Sequence, residues 1–425
     1  MNLRKLRHLS GTKSVYLFML LVLSLDGHAF ASDFEFEPSA RYRYQQVDDT
    51  VRGDAIASTI LVRLNARWEA SDNWSALVQG DYVHAFNEGR YNSITLNRPT
   101  SPIPDVPGAE LNQAWVQYSA DNDWSAKLGR QQFNFNNERH VSAVEFWQND
   151  QSYDALSIAY NDRQYWDFTY AYVNRVHRIF TDDAKPILQV DDPRFPSNPN
   201  RPFSELGNHD HDSHLINLSY QLNRYLAISG YAYLLDNRSA QQFSSDTFGL
   251  RLEGEIKPSS IRYAYSAELA RQETADASPW DYEGYYAFAE FSAQYQSHRL
   301  SIGYERLGED NGFAFATSLG NNHLFLGWAD IFSGYTNADG LRDTFVTYRG
   351  RKAKLRWRVV AHRFESDSSG VNVGNELDIE IAYRITRDWE VSVISAMYFS
   401  QDGLVELPET QEDLTSTILS VSYDF

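Results

Sequence analysis

Basic residues recur at even spacing in several stretches of this chain. Arg41 and Arg43 are two apart, Arg63 and Arg67 four apart, and Lys354, Arg356 and Arg358 form a run at every second position. Even spacing puts side chains on one face of an extended strand. Guanidinium forks in a row can grip carboxylates and let them go again in water. Lys127, Arg251 and Arg262 join the set because each stands opposite the apolar residues of its own stretch. A path for an anionic substrate would thus be lined by Arg41, Arg43, Arg63, Arg67, Lys127, Arg251, Arg262, Lys354, Arg356 and Arg358. Acids share that face, among them Glu35, Glu37, Asp81, Glu253, Glu268, Glu290, Asp378 and Glu380. The same arginines can therefore pair across a ladder and simply hold a wall together.

Other chemistry has weaker support. Asn208-His209-Asp210-His211-Asp212-Ser213-His214 offers imidazoles and carboxylates, but no second cluster with ligand spacing appears, so a hydrophilic loop tip is the plainer reading and no metal is expected. There is no Gly-x-Ser-x-Gly elbow and no phosphate-binding glycine loop. The histidines are scattered, and no pattern sets one up as the base of a serine nucleophile. No catalytic residue and no cofactor are expected; an embedded hydrolase is the enzymatic alternative. Cysteine is absent, which excludes disulfides and thiol metal sites.

These residues need strands to position them. Alternation runs through the chain: Ile60, Val62, Leu64, Ala66 and Trp68 interleave with Thr59, Arg63, Asn65 and Arg67. Trp166, Phe168, Tyr170 and Tyr172 do the same around residue 170, and Leu377, Ile379, Ile381 and Tyr383 near the C-terminal end. About 18 such segments are present, starting near residues 34, 56, 73, 110, 123, 152, 163, 213, 224, 246, 260, 284, 298, 341, 352, 375, 387 and 414, an even number as in single-chain bacterial barrels. Their linkers alternate in length. Short ones such as Asp121-Asn122, Ser297-His298 and Gly350-Arg351 separate long ones at 87–109, 134–151, 177–212 and 308–340. Short turns on the periplasmic side and long loops outside are the barrel pattern. The 27 Tyr and 10 Trp with a negative mean hydropathy suit rings at two lipid interfaces around a polar interior. Leu419, Val421, Tyr423 and Phe425 form the lipid-facing row of a closing strand, for which Phe425 is expected to matter in assembly.

Arg4, Lys5, Arg7 and Lys13, the apolar run Val15–Leu23 and Ala29-Phe30-Ala31 have the order of a secretory signal peptide cut after Ala31. The apolar run is too short to span a bilayer as a helix. Cleavage would remove four basic residues and one acidic residue, taking the formal charge from −19 to −22, which argues against nucleic-acid binding.

Gly129-Arg130-Gln131-Gln132, Glu138-Arg139-His140 and Phe146-Trp147-Gln148-Asn149-Asp150-Gln151-Ser152-Tyr153-Asp154-Ala155 resemble segments of the alginate-export family of outer-membrane porins. So do Gly327-Trp328-Ala329-Asp330-Ile331-Phe332 and Asp339-Gly340-Leu341-Arg342-Asp343. The chain departs from that family at Phe133–Asn137, where it has no glycine before Arg139. The resemblance implies a monomeric 18-stranded barrel with an arginine-rich lumen for polyuronate. It also implies that Arg130, Arg139, Asp154, Asp330, Arg342 and Asp343 lie at or near the pore. Strict alternation turns Arg130 toward lipid, which a place at the extracellular rim or a bulge would reconcile. Asp330 and Asp343 can equally anchor loops.

The expectation is an all-β transmembrane antiparallel barrel over residues 32–425 behind a signal peptide at 1–31. It would sit in the outer membrane of a Gram-negative bacterium as a monomer, delivered by the barrel assembly machinery and surrounded by outer-membrane lipid. Its role would be passive passage of anionic saccharide, with uronates such as alginate favoured. A general small-solute porin and a surface-binding barrel acting through its long loops are the alternatives.

Overall fold

A computed structural model describes residues 34–190, 192–332, 338–404 and 407–424. Residues 1–31, expected to be a signal peptide, and Phe425 lie outside them. The strands are β1 (Phe34–Asp49), β2 (Ala55–Glu69), β3 (Trp74–Ala85), β4 (Gly108–Ser119), β5 (Trp124–Gln131), β6 (Ser152–Asn161) and β7 (Trp166–His177). Next come β8 (Asn208–Asn223), β9 (Leu226–Leu235), β10 (Ser245–Ile256), β11 (Ile261–Thr274), β12 (Glu283–Tyr295) and β13 (His298–Leu307). A small hairpin, β14 (Glu309–Asp310) with β15 (Phe313–Ala314), precedes β16 (Leu341–Lys352), β17 (Leu355–Ser366), β18 (Asn372–Arg384), β19 (Trp389–Ser400) and β20 (Leu414–Asp424).

Without the hairpin, these form one 18-stranded antiparallel sheet, each strand bonded to its neighbours in sequence. β1 pairs with β20 from Ser39↔Asp424 to Asp49↔Leu414, so the sheet closes and leaves no edge. Every segment expected from alternation forms a strand. One boundary is corrected. Gly350-Arg351 is not a turn but lies inside β16, and the turn is Ala353-Lys354, with Ala353 at φ 51°. Gly350 serves packing instead: a Cβ there would overlap the ring of Trp357, its partner across the ladder. Lys354 consequently leaves the inner row and donates to the Ile385 carbonyl at 2.6 Å in the turn region.

The outer face carries Val78, Leu128, Leu250, Leu269, Leu300, Ile302 and Ile381, all exposed. Rings gather at the end with the short turns, where Trp74–Tyr118, Trp124–Tyr160, Trp166–Tyr220 and Trp389–Tyr423 have centroids 4.3–5.1 Å apart. This band marks the periplasmic interface. The apolar core lies inside the other end of the barrel. There Tyr91, Val141, Trp147, Phe315, Leu319, Trp328 and Phe332 come from long loops and pack against Val173, Leu215, Leu341 and Phe364 of the wall.

Candidate functional site

Of the long loops that fold into the lumen, two meet each other there. Residues 132–151 leave the wall at the end of β5 and re-enter at β6, and residues 308–340 join β13 to β16. They meet where Val141 bridges Leu319, and Ser142 N donates to the Leu319 carbonyl at 3.0 Å. Gln151 and Tyr153 also donate to that carbonyl. Gly320 lies so close to Arg139 that a Cβ would overlap its carbonyl oxygen.

Wall residues hold these loops, and they are largely the arginines expected to line a path. Arg43 is 2% exposed, donates to the Phe146 carbonyl at 3.0 Å and lies over the Phe146 and Trp147 rings. Arg41 donates to Gln148 Oε1 at 2.9 Å and to the Trp147 carbonyl. Arg63 bridges Asp81 at 2.6 Å and loop residue Asp150 at 2.7 Å. Arg251 meets Glu268 at 2.8 Å, and Glu268 in turn meets loop residue His140 at 3.0 Å. Arg139 is wholly buried against Glu305 at 2.6 Å, with further bonds to Thr317 and Asn322. Burial, with Asp150 nearby, raises the loop carboxyl Glu145 above its usual range. These contacts favour the structural role over the path for Arg41, Arg43, Arg63, Arg139 and Arg251.

The second family-like segment is anchored by carboxylates. Ala329 N donates to Glu376 Oε1 at 2.7 Å and Trp328 N to Asp378 Oδ2 at 3.4 Å. Gly327, at φ 83°, is needed because a side chain would strike the Glu376 carboxylate. Arg358 stacks over Trp328 at 4.2 Å. Asp343 faces inward and accepts from His362 at 2.8 Å. Asp330 accepts from His323 Nδ1 at 3.0 Å, and both line a cavity of about 1030 Å³ at the extracellular end, together with Trp147 and Ser318.

Three family-like residues take outward positions in their strands, Arg130 near a strand end as the rim alternative has it. Arg130, Asp154 and Arg342 turn away from the lumen. Arg130 sits near the end of β5, which is only eight residues long. Its Nε bonds Asp154 of β6 at 2.9 Å and its Nη1 bonds the Leu111 carbonyl of β4 at 2.8 Å, so it stitches the wall where the ladder stops. Gly129, at φ 127°, permits the kink there, and a Cβ would overlap the Ala114 carbonyl oxygen. Arg342 donates to the Ser366 carbonyl and approaches Asp367 at 3.8 Å on the outer rim. The His-Asp motif is split by the same alternation. His209 and His211 are buried, while Asp210 and Asp212 face Arg175 and Arg238. No metal-ligating group is found among the described residues.

The periplasmic half is open. One cavity of about 1080 Å³ is lined by Arg251, Glu253, Glu255, Tyr265, Phe288, Glu290 and Arg299. Another, of about 860 Å³, is lined by Arg299, Arg349, Arg351, Arg356 and Arg358 with Glu380. Arg262 meets Glu255 at 3.2 Å, Arg67 meets Glu69 at 2.6 Å, and Lys127 lies over the Trp115 ring at 4.3 Å. Arg356 and Arg358 pair with Glu390 at 2.5 Å and Glu380 at 3.1 Å. Arg299, Arg349 and Arg351 were missed in the sequence. The apolar row Val346, Tyr348 would have exposed the latter two had Gly350 not looked like a turn.

A family model described as alginate export matches residues 32–324. None of the curated proteins compared with the chain matches it. Solved outer-membrane proteins share the fold at low identity. OccAB2 of Acinetobacter baumannii is 13% identical with a TM-score of 0.71, covering 94% of this chain and 99% of its own. OccK5 (OpdH) of Pseudomonas aeruginosa is 12% identical with a TM-score of 0.64 over 94% and 99%. OpdK of Pseudomonas aeruginosa, solved with vanillate, is 14% identical with a TM-score of 0.67 over 93% and 100%.

Proposed function

The chain belongs to the alginate export family and forms an outer-membrane channel, and we propose that this channel passes anionic oligo- or polysaccharide passively, with alginate-like uronates favoured. The observation that carries this reading is the guanidinium wall of the periplasmic half, where the exposed Arg349, Arg351 and Arg356 and the half-buried Arg358 surround a single lining acid, Glu380. Arginine at such sites binds carboxylate bidentately, yet in open water each contact is weak enough to release. Arg67, Lys127 and Arg262 would extend the attraction around the lumen. Lys354 plays no part in it. We further propose that residues 1–31 are a cleaved signal peptide, that the barrel assembly machinery inserts the chain, and that the barrel works as a monomer without enzymatic activity.

A general small-solute porin is the second reading, favoured by the inward loops that fill the extracellular half. Proteoliposomes separate the two. Uronate trisaccharide should enter several times faster than an uncharged trisaccharide of equal size. Equal rates would favour the general porin.

A further inference from the structure

Three lipid-facing rows end in arginine at the extracellular end of neighbouring strands. On β13 the exposed Leu300, Ile302 and Tyr304 lead to Arg306. On β16 the exposed Tyr348 and Val346 lead through Thr344 to Arg342. On β17 Trp357, Val359 and Ala361 lead to Arg363. Register brings the three together. Arg306 stands directly opposite Arg342, and Thr344 stands opposite both Tyr304 and Arg363, which leaves Arg363 diagonal to Arg342. Side chains as long as arginine reach one another along such a diagonal.

These guanidiniums outnumber their acids. Asp367 is buried and takes Arg306 with both oxygens, at 2.7 and 2.9 Å. Arg363 has Glu365 at 3.0 Å. Arg342 donates to the Ser366 carbonyl, but the carboxylate it approaches is the same Asp367, at 3.8 Å. Its buried Nε has no hydrogen-bond partner among the described residues. The loop acids Glu309 and Asp339 accept from Gly312 N at 2.7 Å and Ser368 Oγ at 3.1 Å. Elsewhere on the outer face at this end, Arg130, Arg175 and Arg271 each have an acid of their own: Asp154 at 2.9 Å, Asp210 at 2.7 Å and Glu283 at 2.8 Å. The outer rows of β18, β19 and β20 carry Asn375, Phe399 and Thr415 there, and no basic residue. The surplus guanidinium is thus confined to one sector, where the apolar band of the wall gives way to head groups.

A phosphate monoester fits this arrangement. It brings about two negative charges and three strong acceptor oxygens, enough for several guanidiniums and the exposed Thr344 hydroxyl at once. The outer leaflet of a Gram-negative outer membrane is built of glycolipid that carries such phosphates. We infer that Arg306, Arg342 and Arg363, with Thr344, form a site on the outer wall that binds a phosphate of that glycolipid. The site is independent of what the lumen passes.

The folded barrel in detergent tests it, titrated with bisphosphorylated lipid A, dephosphorylated lipid A, phosphatidylglycerol or inorganic phosphate. Bound lipid is counted by native mass spectrometry, and heat-modifiable mobility confirms folding. The bisphosphorylated lipid should bind about tenfold more tightly than the dephosphorylated one, the scale of one charge-assisted contact. Arg342→Gln should erase most of that preference, and it strips no acid of its only cation, since Asp367 keeps Arg306. Arg342→Lys should retain it, and so should Arg271→Gln at a matched pair. Arg363→Gln should weaken it, and decides the matter if Arg342→Gln does not fold. Equal binding of the two lipid A forms, or an Arg342→Gln barrel that binds like the wild type, overturns the site. Phosphatidylglycerol that binds as tightly as bisphosphorylated lipid A overturns the assignment to glycolipid. Inorganic phosphate that displaces the lipid at equal concentration makes this a free-anion site and overturns it too.

Discussion

Arg139 shows how a charge chosen for chemistry can serve structure. Its guanidinium is wholly buried, and its partner Glu305 is bonded by Tyr286 as well. Removing one member of such a pair leaves the other charge buried and unmatched, which typically costs about 3–5 kcal/mol. Arg139→Met should therefore lower the temperature at which the folded band disappears on heat-modifiability gels, and loosen the lumen loops so that single-channel current becomes noisier. Adding Glu305→Met should restore much of the stability, since an apolar pair can replace a buried ion pair at little cost. A single variant as quiet and as stable as the wild type would remove Arg139 from the tether. Alternation could not foretell this role, because Arg139 lies in a loop and its partner is 166 positions away.

Strands were readable because their signal is local: each needs only its own alternating row and the turn that follows. Even the misplaced turn near residue 350 kept the parity of Arg356 and Arg358, since a shift within the linker does not change which face they take. The inward course of 132–151 and 308–340 left no such mark. Those loops carry large apolar residues such as Phe133, Val141, Trp147, Phe315, Leu319 and Trp328 without strand alternation, and their inward seats depend on distant wall groups such as Glu268, Glu305 and Glu376 that receive them. In the motif Gly129-Arg130 the arginine closes a seam between β4 and β6, and in Gly327-Trp328-Ala329 the backbone is held by Glu376 and Asp378. The loops should limit conductance. Replacing residues 313–331 by a short Gly-Ser linker removes the partner of Val141 and leaves the β13–β16 register, His298↔Gly350 to Leu307↔Leu341, untouched. Conductance should rise several-fold with the barrel still heat-modifiable. An unchanged conductance would put the constriction elsewhere.

At the scale of the whole molecule, the proposed anion channel requires a net charge and a permeating field of opposite sign. The full chain carries −19, yet many acids sit in extracellular loops, such as Asp182 and Asp183, or are paired within the wall. A permeating ion feels charge within about 10 Å at 0.1 M salt, so the lumen surface decides, not the sum over the chain. The exposed basic sector at the periplasmic mouth should make the pore prefer anions. A potassium chloride gradient across a bilayer holding the channel should give a reversal potential of the anion-selective sign. Arg349→Gln/Arg356→Gln/Arg358→Gln should move it toward zero or past it, because each change removes a cation from the wall and frees Glu380 and Glu390 to act as bare carboxylates. Lys354→Gln is the internal control: its amine is held by the Ile385 carbonyl at the turn, so the potential should not move. The shift must shrink in 1 M salt, where screening falls to about 3 Å. A wild-type pore that prefers cations at low salt would mean that the acids of the opposite wall and the loops govern permeation, and Arg356 and Arg358 would then serve only to pair with Glu390 of β19 and Glu380 of β18.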